Sequence, residues 1–144
     1  MRILVANVGS SSYKCRLFDM PSERDLAGAE VERVGSSDAL VSYRRSGALL
    51  LDRRVEPVPD HRHAVQRVLG LLTDAGTGVL ESVERLDGVG FKAVQAGPRN
   101  GSVLLDADVI GSATSGATDP STREASVQNA LLWTFVAAAR SMVA

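Results

Sequence analysis

The chain opens Arg2-Ile3-Leu4-Val5-Ala6-Asn7-Val8-Gly9-Ser10-Ser11-Ser12-Tyr13-Lys14-Cys15-Arg16-Leu17-Phe18-Asp19-Met20, and this stretch decides the fold. Arg2 to Ala6 has the short, branched, apolar character of a fully buried strand, and Asn7-x-Gly9 ends it. Val8 to Ser12 is a turn of small residues. From Lys14 to Met20 the pattern alternates: Cys15, Leu17 and Asp19 fall on one side, Lys14, Arg16, Phe18 and Met20 on the other. Alternation is strand periodicity, so the second run closes an antiparallel hairpin on the first.

Working outward, Pro21 to Asp25 is a polar turn, and Ala29 to Val34, Ala39 to Arg45 and Ala48 to Arg54 are three further strand-like runs. Ser46-Gly47 between the last two is a two-residue hairpin signal. The outer strand is rich in arginine, which suits an exposed edge. Pro57 and Pro59 break the pattern, and Asp60 is a helix N-cap candidate. Ala64, Val65, Val68, Leu69, Leu71 and Leu72 form a helical stripe that ends near Gly76. Val79 to Leu86 fits a short helix or a strand. Val89 to Val94 is another buried strand, Gly97 to Gly101 a tight turn, and Val103 to Val109 is ambiguous. After a loop from Ser112 to Pro120, Ser121-Thr122-Arg123-Glu124 is a capping box that starts a last helix. Strands first, then helices with a returning strand, predict one α/β domain over residues 1–144, a mixed β-sheet flanked by helices.

Composition narrows the function classes. The 144 residues are 44% hydrophobic, and a chain of this size buries about 68% of its unfolded surface. That argues against chain-wide disorder. Sixteen basic against 17 acidic residues give a net charge of −1, too little positive charge for non-specific nucleic-acid binding. The single cysteine, Cys15, excludes an internal disulfide framework and a cysteine-cluster zinc site. The apolar N-terminal run is too short for a signal peptide, and the stretch Ala130 to Ala139 is about half of a membrane span. No membrane role and a cytoplasmic location are the expectation.

The chemistry-bearing segment is the turn. Gly9 permits close backbone approach to a ligand, and the N–H groups of such a turn form an anion-binding concavity. Ser10, Ser12 and Lys14 are two apart, so an extended chain projects them on one side, giving two hydroxyls and an ammonium for a phosphoryl group. Asn7 can hold a water or a metal-bound oxygen without adding negative charge. The other reading is a serine-rich hairpin turn beside a solvated lysine. The segment is neither a Walker loop nor a dinucleotide fingerprint, because no Gly-x-x-x-x-Gly-Lys-Ser/Thr occurs and the turn leads into a strand.

Ile3-Leu4-Val5-x-Asn7-x-Gly9-Ser10-Ser11-Ser12-x-Lys14-x-x-Leu17-Phe18-Asp19-Met20 resembles the opening signature of acetate kinases. Glu30-Val31-Glu32-Arg33-Val34-Gly35 resembles the segment that follows in that family, and Asp60-His61-x-x-Ala64-Val65 the start of its first helix. Val89-Gly90-Phe91-Lys92-Ala93-Val94-Gln95-Ala96-Gly97 sits where the family has Val-Gly-His-Arg-Val-Val-His-Gly-Gly. The resemblance runs from Met1 to about Pro120. It implies a ribonuclease-H-like domain of the sugar kinase, Hsp70 and actin superfamily, and phosphoryl transfer between ATP and acetate or a similar short carboxylate, with Mg2+. It implies a phosphate- and nucleotide-binding set of Asn7, Gly9, Ser10, Ser12 and Lys14, with Asn7 also near the metal. Lys92 takes the place of the catalytic, substrate-binding arginine, and Val94 lines the pocket for the acetate methyl.

The departures from the family pattern bear on activity. Lys92 keeps the arginine's charge and loses its planar fork. Phe91 and Gln95 replace two histidines. Thr118-Asp119-Pro120 stands where the family has His-Asn-Pro, without the histidine that stabilises the transferring phosphoryl. The chain ends where the family's second, nucleotide-binding domain begins. The expectation is a chain inactive by itself, with a homodimer or a complementary second-domain chain as partner; the alternative is a non-catalytic phosphate-binding, nucleotide-binding or protein-interaction module.

The remaining features read as structural. His61 and His63 are surface histidines on a helix start. Cys15 is an inward-facing small hydrophobe. Arg44, Arg45, Arg53 and Arg54 form a solvated basic edge, with an anion-binding surface as the alternative. The last helix is apolar all round from Ala130 to Ala139, so Leu132, Trp133, Phe135 and Val136 are expected to pack against a second chain.

Overall fold

In the computed structural model, which describes residues 1–92, six strands form one sheet. They are β1 (Arg2–Val8), β2 (Ser12–Asp19), β3 (Arg24–Glu32), β4 (Ser36–Arg45), β5 (Ala48–Val58) and β6 (Gly88–Lys92), in spatial order β5-β4-β3-β2-β1-β6. The first five make an antiparallel meander. β6 returns to the far edge and pairs parallel to β1. Such a return needs a crossover, and helix α1 (His61–Thr73) lies in it. These residues form one compact unit.

Alternation sets the two faces. Leu4, Ala6 and Val8 of β1, Tyr13, Cys15 and Leu17 of β2, and Val31, Val41 and Tyr43 further out are buried on one face. The stripe Ala64, Val65, Val68, Leu71 and Leu72 of α1 is buried too, and the helix packs across β2, β3 and β5. Arg67 forks onto the Glu56 carboxylate and ties α1 to the edge strand β5. Asp60 caps the helix: its carboxylate accepts from the His63 backbone N–H at 2.9 Å. The Ser46-Gly47 hairpin forms as expected, with φ of 48° and 84°, the paired positive values that a two-residue loop between twisted strands needs.

Several boundaries differ from the sequence expectation. Asn7 does not end β1; it sits inside the strand, since its side chain is exposed while its backbone stays in the ladder. β3 starts at Arg24, within the expected turn. β5 runs through Pro57 to Val58, because an edge strand has one row of backbone groups with no ladder to complete. α1 stops at Thr73, where the Asp74 carboxylate collects the Gly76 and Thr77 N–H groups and the Thr77 hydroxyl. Val79 to Leu86 is neither strand nor α-helix but a loop with one 3-10 turn at Val83–Arg85, anchored by buried Leu80. Val94, the turn at Gly97, Thr118-Asp119-Pro120 and the helix from Ser121 lie outside the described residues, and with them the expected partner-seeking face. Among the described residues no helix is long and apolar enough to cross a membrane.

Candidate functional site

The turn between β1 and β2 is closed by its own backbone: the Gly9 N–H donates to the Ser12 carbonyl at 2.8 Å. Two of its carbonyls are taken up by the surrounding fold. The Ser11 carbonyl accepts from the Val34 N–H at 2.9 Å, and His61 Nε2 lies 2.9 Å from the Gly9 carbonyl. Ser10 and Ser11 are exposed, and their backbone N–H groups have no acceptor among the described residues. The Gly9 and Ser11 carbonyls are thus engaged, while the Ser10 and Ser11 N–H groups have no partner among the described residues; backbone N–H groups of such a turn are donors of the kind that receive an anion.

Gly9 makes room for a neighbour and is not demanded by its dihedral angle. Its φ is not positive, but a Cβ there would lie 2.7 Å from Ser12 Oγ. The close approach that glycine permits is therefore first to the Ser12 hydroxyl, which stands over the Gly9 Cα. Ser12 and Lys14 share a face of β2, as the two-residue spacing predicts. Ser10 does not belong to that row, since it sits in the turn and not in extended chain.

Behind the turn a polar row crosses the sheet face opposite α1. Asn7 of β1 is in register with Lys14 of β2, Lys14 with Glu30 of β3, and Glu30 with Ser42 of β4. On the other side of β1 the backbone of Lys92 is in register with Asn7. Three residues of the predicted set thus share one row. The Lys14 ammonium is not an isolated cation: it is ion-paired with the Glu30 carboxylate. That hydrogen bond, and the charge behind it, raises the Lys14 pKa above its ordinary value. A groove of about 570 Å³ opens over this face, lined by Asn7, Lys14, Arg16, Phe18, Glu30 and Arg44 among others.

No group of three histidine, cysteine, aspartate or glutamate side chains among the described residues can hold a metal ion. Asn7 offers an amide oxygen, which magnesium takes together with carboxylates or phosphates and not by itself. Among the described residues the seat therefore offers the Asn7 amide oxygen and no cluster of three metal-ligating side chains.

His61 corrects the expectation of a surface histidine. It is buried, 9% exposed, because it is the first residue of α1 and the helix start abuts the turn. No local pattern marks it; the available signal was that Asp60-His61 falls in a segment resembling the family's first helix. His63 is exposed and rests on Asp60. Cys15 is buried as expected, and desolvation pushes its thiol up to about 12, which keeps it protonated and unreactive. The four arginines face solvent as expected, and each has a partner. Arg44 reaches Asp25, Arg53 reaches Glu32, Arg54 lies by Glu56, and Arg45 points to the Gly76 carbonyl.

Residues 2–118 match the acetokinase family. The chain is 41% identical over 107 residues to the acetate kinase of Moorella thermoacetica, covering 74% of this chain and 27% of that protein. It is 36% identical over 110 residues to the acetate kinase of Methanosarcina acetivorans, covering 76% and 27%. It thus spans about a quarter of the length of these relatives. The crystal structure of Porphyromonas gingivalis acetate kinase superposes with a TM-score of 0.76 at 27% identity, covering 91% of this chain and 33% of that one. A propionate kinase from Francisella tularensis superposes at 0.73 with 17% identity, covering 92% and 33%, and shares the fold.

Proposed function

The chain belongs to the acetokinase family and has its mixed-sheet, actin-like fold, and from that membership we propose that residues 1–92 seat the phosphoryl group in transfer between ATP and a short carboxylate such as acetate or propionate. The observation that carries this is the turn: Ser10 and Ser11 N–H groups with no acceptor among the described residues, next to Ser12, with Asn7 and Lys14 in the adjoining row. In this proposal the turn receives the phosphoryl oxygens, Asn7 hydrogen-bonds a phosphoryl oxygen or a metal-bound water, and Lys14 supplies charge. Lys92 and Val94 meet the carboxylate and its methyl, as the resemblance implies. Magnesium enters with the nucleotide, since the described residues hold no metal set of their own.

The chain by itself binds phosphate and does not turn over. Phosphoryl transfer needs charge stabilisation from several sides, and here Lys14 already faces Glu30. The further charges come from residues outside the described part of the fold, and a complementary chain or a second copy of this one is the arrangement we propose for supplying them. A second reading, a phosphate- or nucleotide-binding module with no catalytic role, is favoured by that same Lys14–Glu30 pair and by Lys92 standing where the family has arginine.

The test is a titration of the full 15N-labelled chain with inorganic phosphate, run beside a hydroxylamine trap for acetyl phosphate with ATP, magnesium and acetate. Shifts centred on the Ser10 and Ser11 amides with no hydroxamate are expected. Amides that ignore phosphate at tens of millimolar refute the seat. Hydroxamate that disappears with Asn7→Ala or Lys14→Ala would show a complete active site in the chain alone.

A further inference from the structure

We infer that His61 is a positioning residue: it aims the Ser10 backbone N–H at the phosphoryl group by holding the other end of the same peptide unit. The inference rests on the phosphoryl-seat reading above and adds to it the group that orients the seat.

The geometry is a matter of one rigid plane. The Gly9 carbonyl and the Ser10 N–H belong to a single peptide unit, and no peptide bond among the described residues is cis. In a trans peptide the C=O and N–H point in opposite directions. His61 Nε2 stands 2.9 Å from the Gly9 carbonyl oxygen, on the buried side of the turn. A carbonyl oxygen only accepts, so Nε2 carries the hydrogen and donates. Fixing that oxygen toward the buried imidazole turns the Ser10 N–H outward, where the turn has no protein acceptor among the described residues.

The imidazole is itself well anchored. His61 is the first residue of α1, and Asp60 caps that helix through the His63 N–H. The helix is locked to the sheet by its buried stripe and by the Arg67–Glu56 fork. Orientation of the donor is thereby inherited from the core and not from the exposed serines. Without this contact no described group holds the Gly9 carbonyl, the hydrogen bonds on either side restrain the peptide less closely, and its N–H loses its aim. A preorganised donor of this kind contributes to binding because it does not need to be reoriented when the anion arrives.

The experiment uses the full chain and two independent readouts. The first is the 15N–1H residual dipolar coupling of Ser10, which reports the direction of its N–H without any ligand. The second is the dissociation constant for inorganic phosphate, read from the Ser10 amide shift. His61→Leu is expected to change the coupling and weaken phosphate about tenfold, the effect of one misaligned hydrogen bond to a charged group. His61→Gln, whose amide reaches the Nε2 position, is expected to restore most of both, and the shorter His61→Asn is not. The Gln and Asn variants keep the comparison available where the leucine variant does not fold. A merely structural histidine would lower the thermal midpoint and leave phosphate affinity of the folded protein unchanged; that result overturns the inference, as does an unchanged coupling. A wild-type Ser10 amide that ignores phosphate overturns the phosphoryl-seat reading, and the inference with it, even where the coupling moves.

Discussion

Replacing Gly9 by alanine separates affinity from stability at the candidate site. The new Cβ would stand 2.7 Å from Ser12 Oγ, closer than such atoms approach, so one of them moves. The hydroxyl yields, because it is the free end of a side chain with a single rotatable bond, whereas the Gly9 backbone is held by the Ser12 carbonyl and by His61. Rotation to another staggered position costs little, at most about 1 kcal/mol. Gly9 has no positive φ to forbid alanine, and loss of unfolded-state freedom returns about 0.4–1 kcal/mol. Thermal stability is therefore expected to stay within about 1 kcal/mol of the wild type. The displaced hydroxyl no longer reaches the anion, and a hydrogen bond to a charged group contributes about 1.5–3 kcal/mol, so phosphate binding falls about ten- to a hundredfold. Phosphate titration by calorimetry with parallel thermal melts measures both. The reasoning also fixes a cycle: Ser12→Ala should lose the same affinity, and Gly9→Ala added to it should lose almost nothing more. Equal phosphate affinity in Gly9→Ala, or fully additive losses, refutes the placement of the Ser12 hydroxyl over the seat.

Three further outcomes follow from other parts of the molecule. Glu30→Gln releases the Lys14 ammonium from its ion pair and is expected to tighten phosphate by up to about fivefold at low salt, fading as salt screens the exposed charge; weaker binding would mean that Glu30 holds Lys14 in the productive position. Leu72→Ala empties a fully buried site between α1 and the sheet and is expected to cost about 2–5 kcal/mol in urea denaturation, and a loss under about 1 kcal/mol would contradict the packing. Asp60→Ala removes the cap of α1 and costs about 1 kcal/mol at neutral pH. The His63 backbone N–H holds the Asp60 carboxyl below its ordinary value. A lowered carboxyl contributes its stability above the unfolded pKa of about 3.9 and loses it as pH falls through the folded value. The gap between wild type and Asp60→Ala in melts should accordingly close below about pH 4.

Beyond β1 the sheet was legible because its rows depend on local alternation; β1, with the apolar run of a fully buried strand, alternates too and leaves Val5 exposed. Cys15 and Leu17 against Lys14 and Arg16 gave the faces of β2, and Ser46-Gly47 gave a hairpin without reference to anything distant. A polar residue or a proline in a run does not by itself stop a strand. Asn7 and Pro57 both stay in strands, the first by turning its side chain to an open face, the second by lying on an edge. The site was legible to the extent that it is local. Ser12 and Lys14 share a face, as two-residue spacing requires. What spacing could not show was how neighbours spend those groups. Glu30 comes from the next strand and His61 from 52 residues beyond Gly9, and only the assembled sheet brings them to the turn. Both change the chemistry: one neutralises the lysine, the other orients a peptide.

Topology explains why the turn lies where it does. β1 pairs antiparallel with β2 and parallel with β6, with Asn7 in register with Lys92, so the carboxyl end of β1 at Val8 lies beside a strand running the same way. In open sheets the crevice beyond the carboxyl ends of parallel strands is where ligands bind, because chains diverge there and leave backbone donors uncovered. Here one of those ends is the hairpin turn itself, held from the core side by α1. In the row behind it Lys14 and Glu30 are in contact, so that pair is electrically balanced before any ligand arrives. A phosphoryl dianion entering this seat either draws Lys14 away from Glu30 or meets positive charge brought by another segment. The first route weakens affinity through the cost of breaking the pair. The second makes affinity depend on the partner. The Glu30→Gln response distinguishes them, since it removes the first cost and leaves the second untouched.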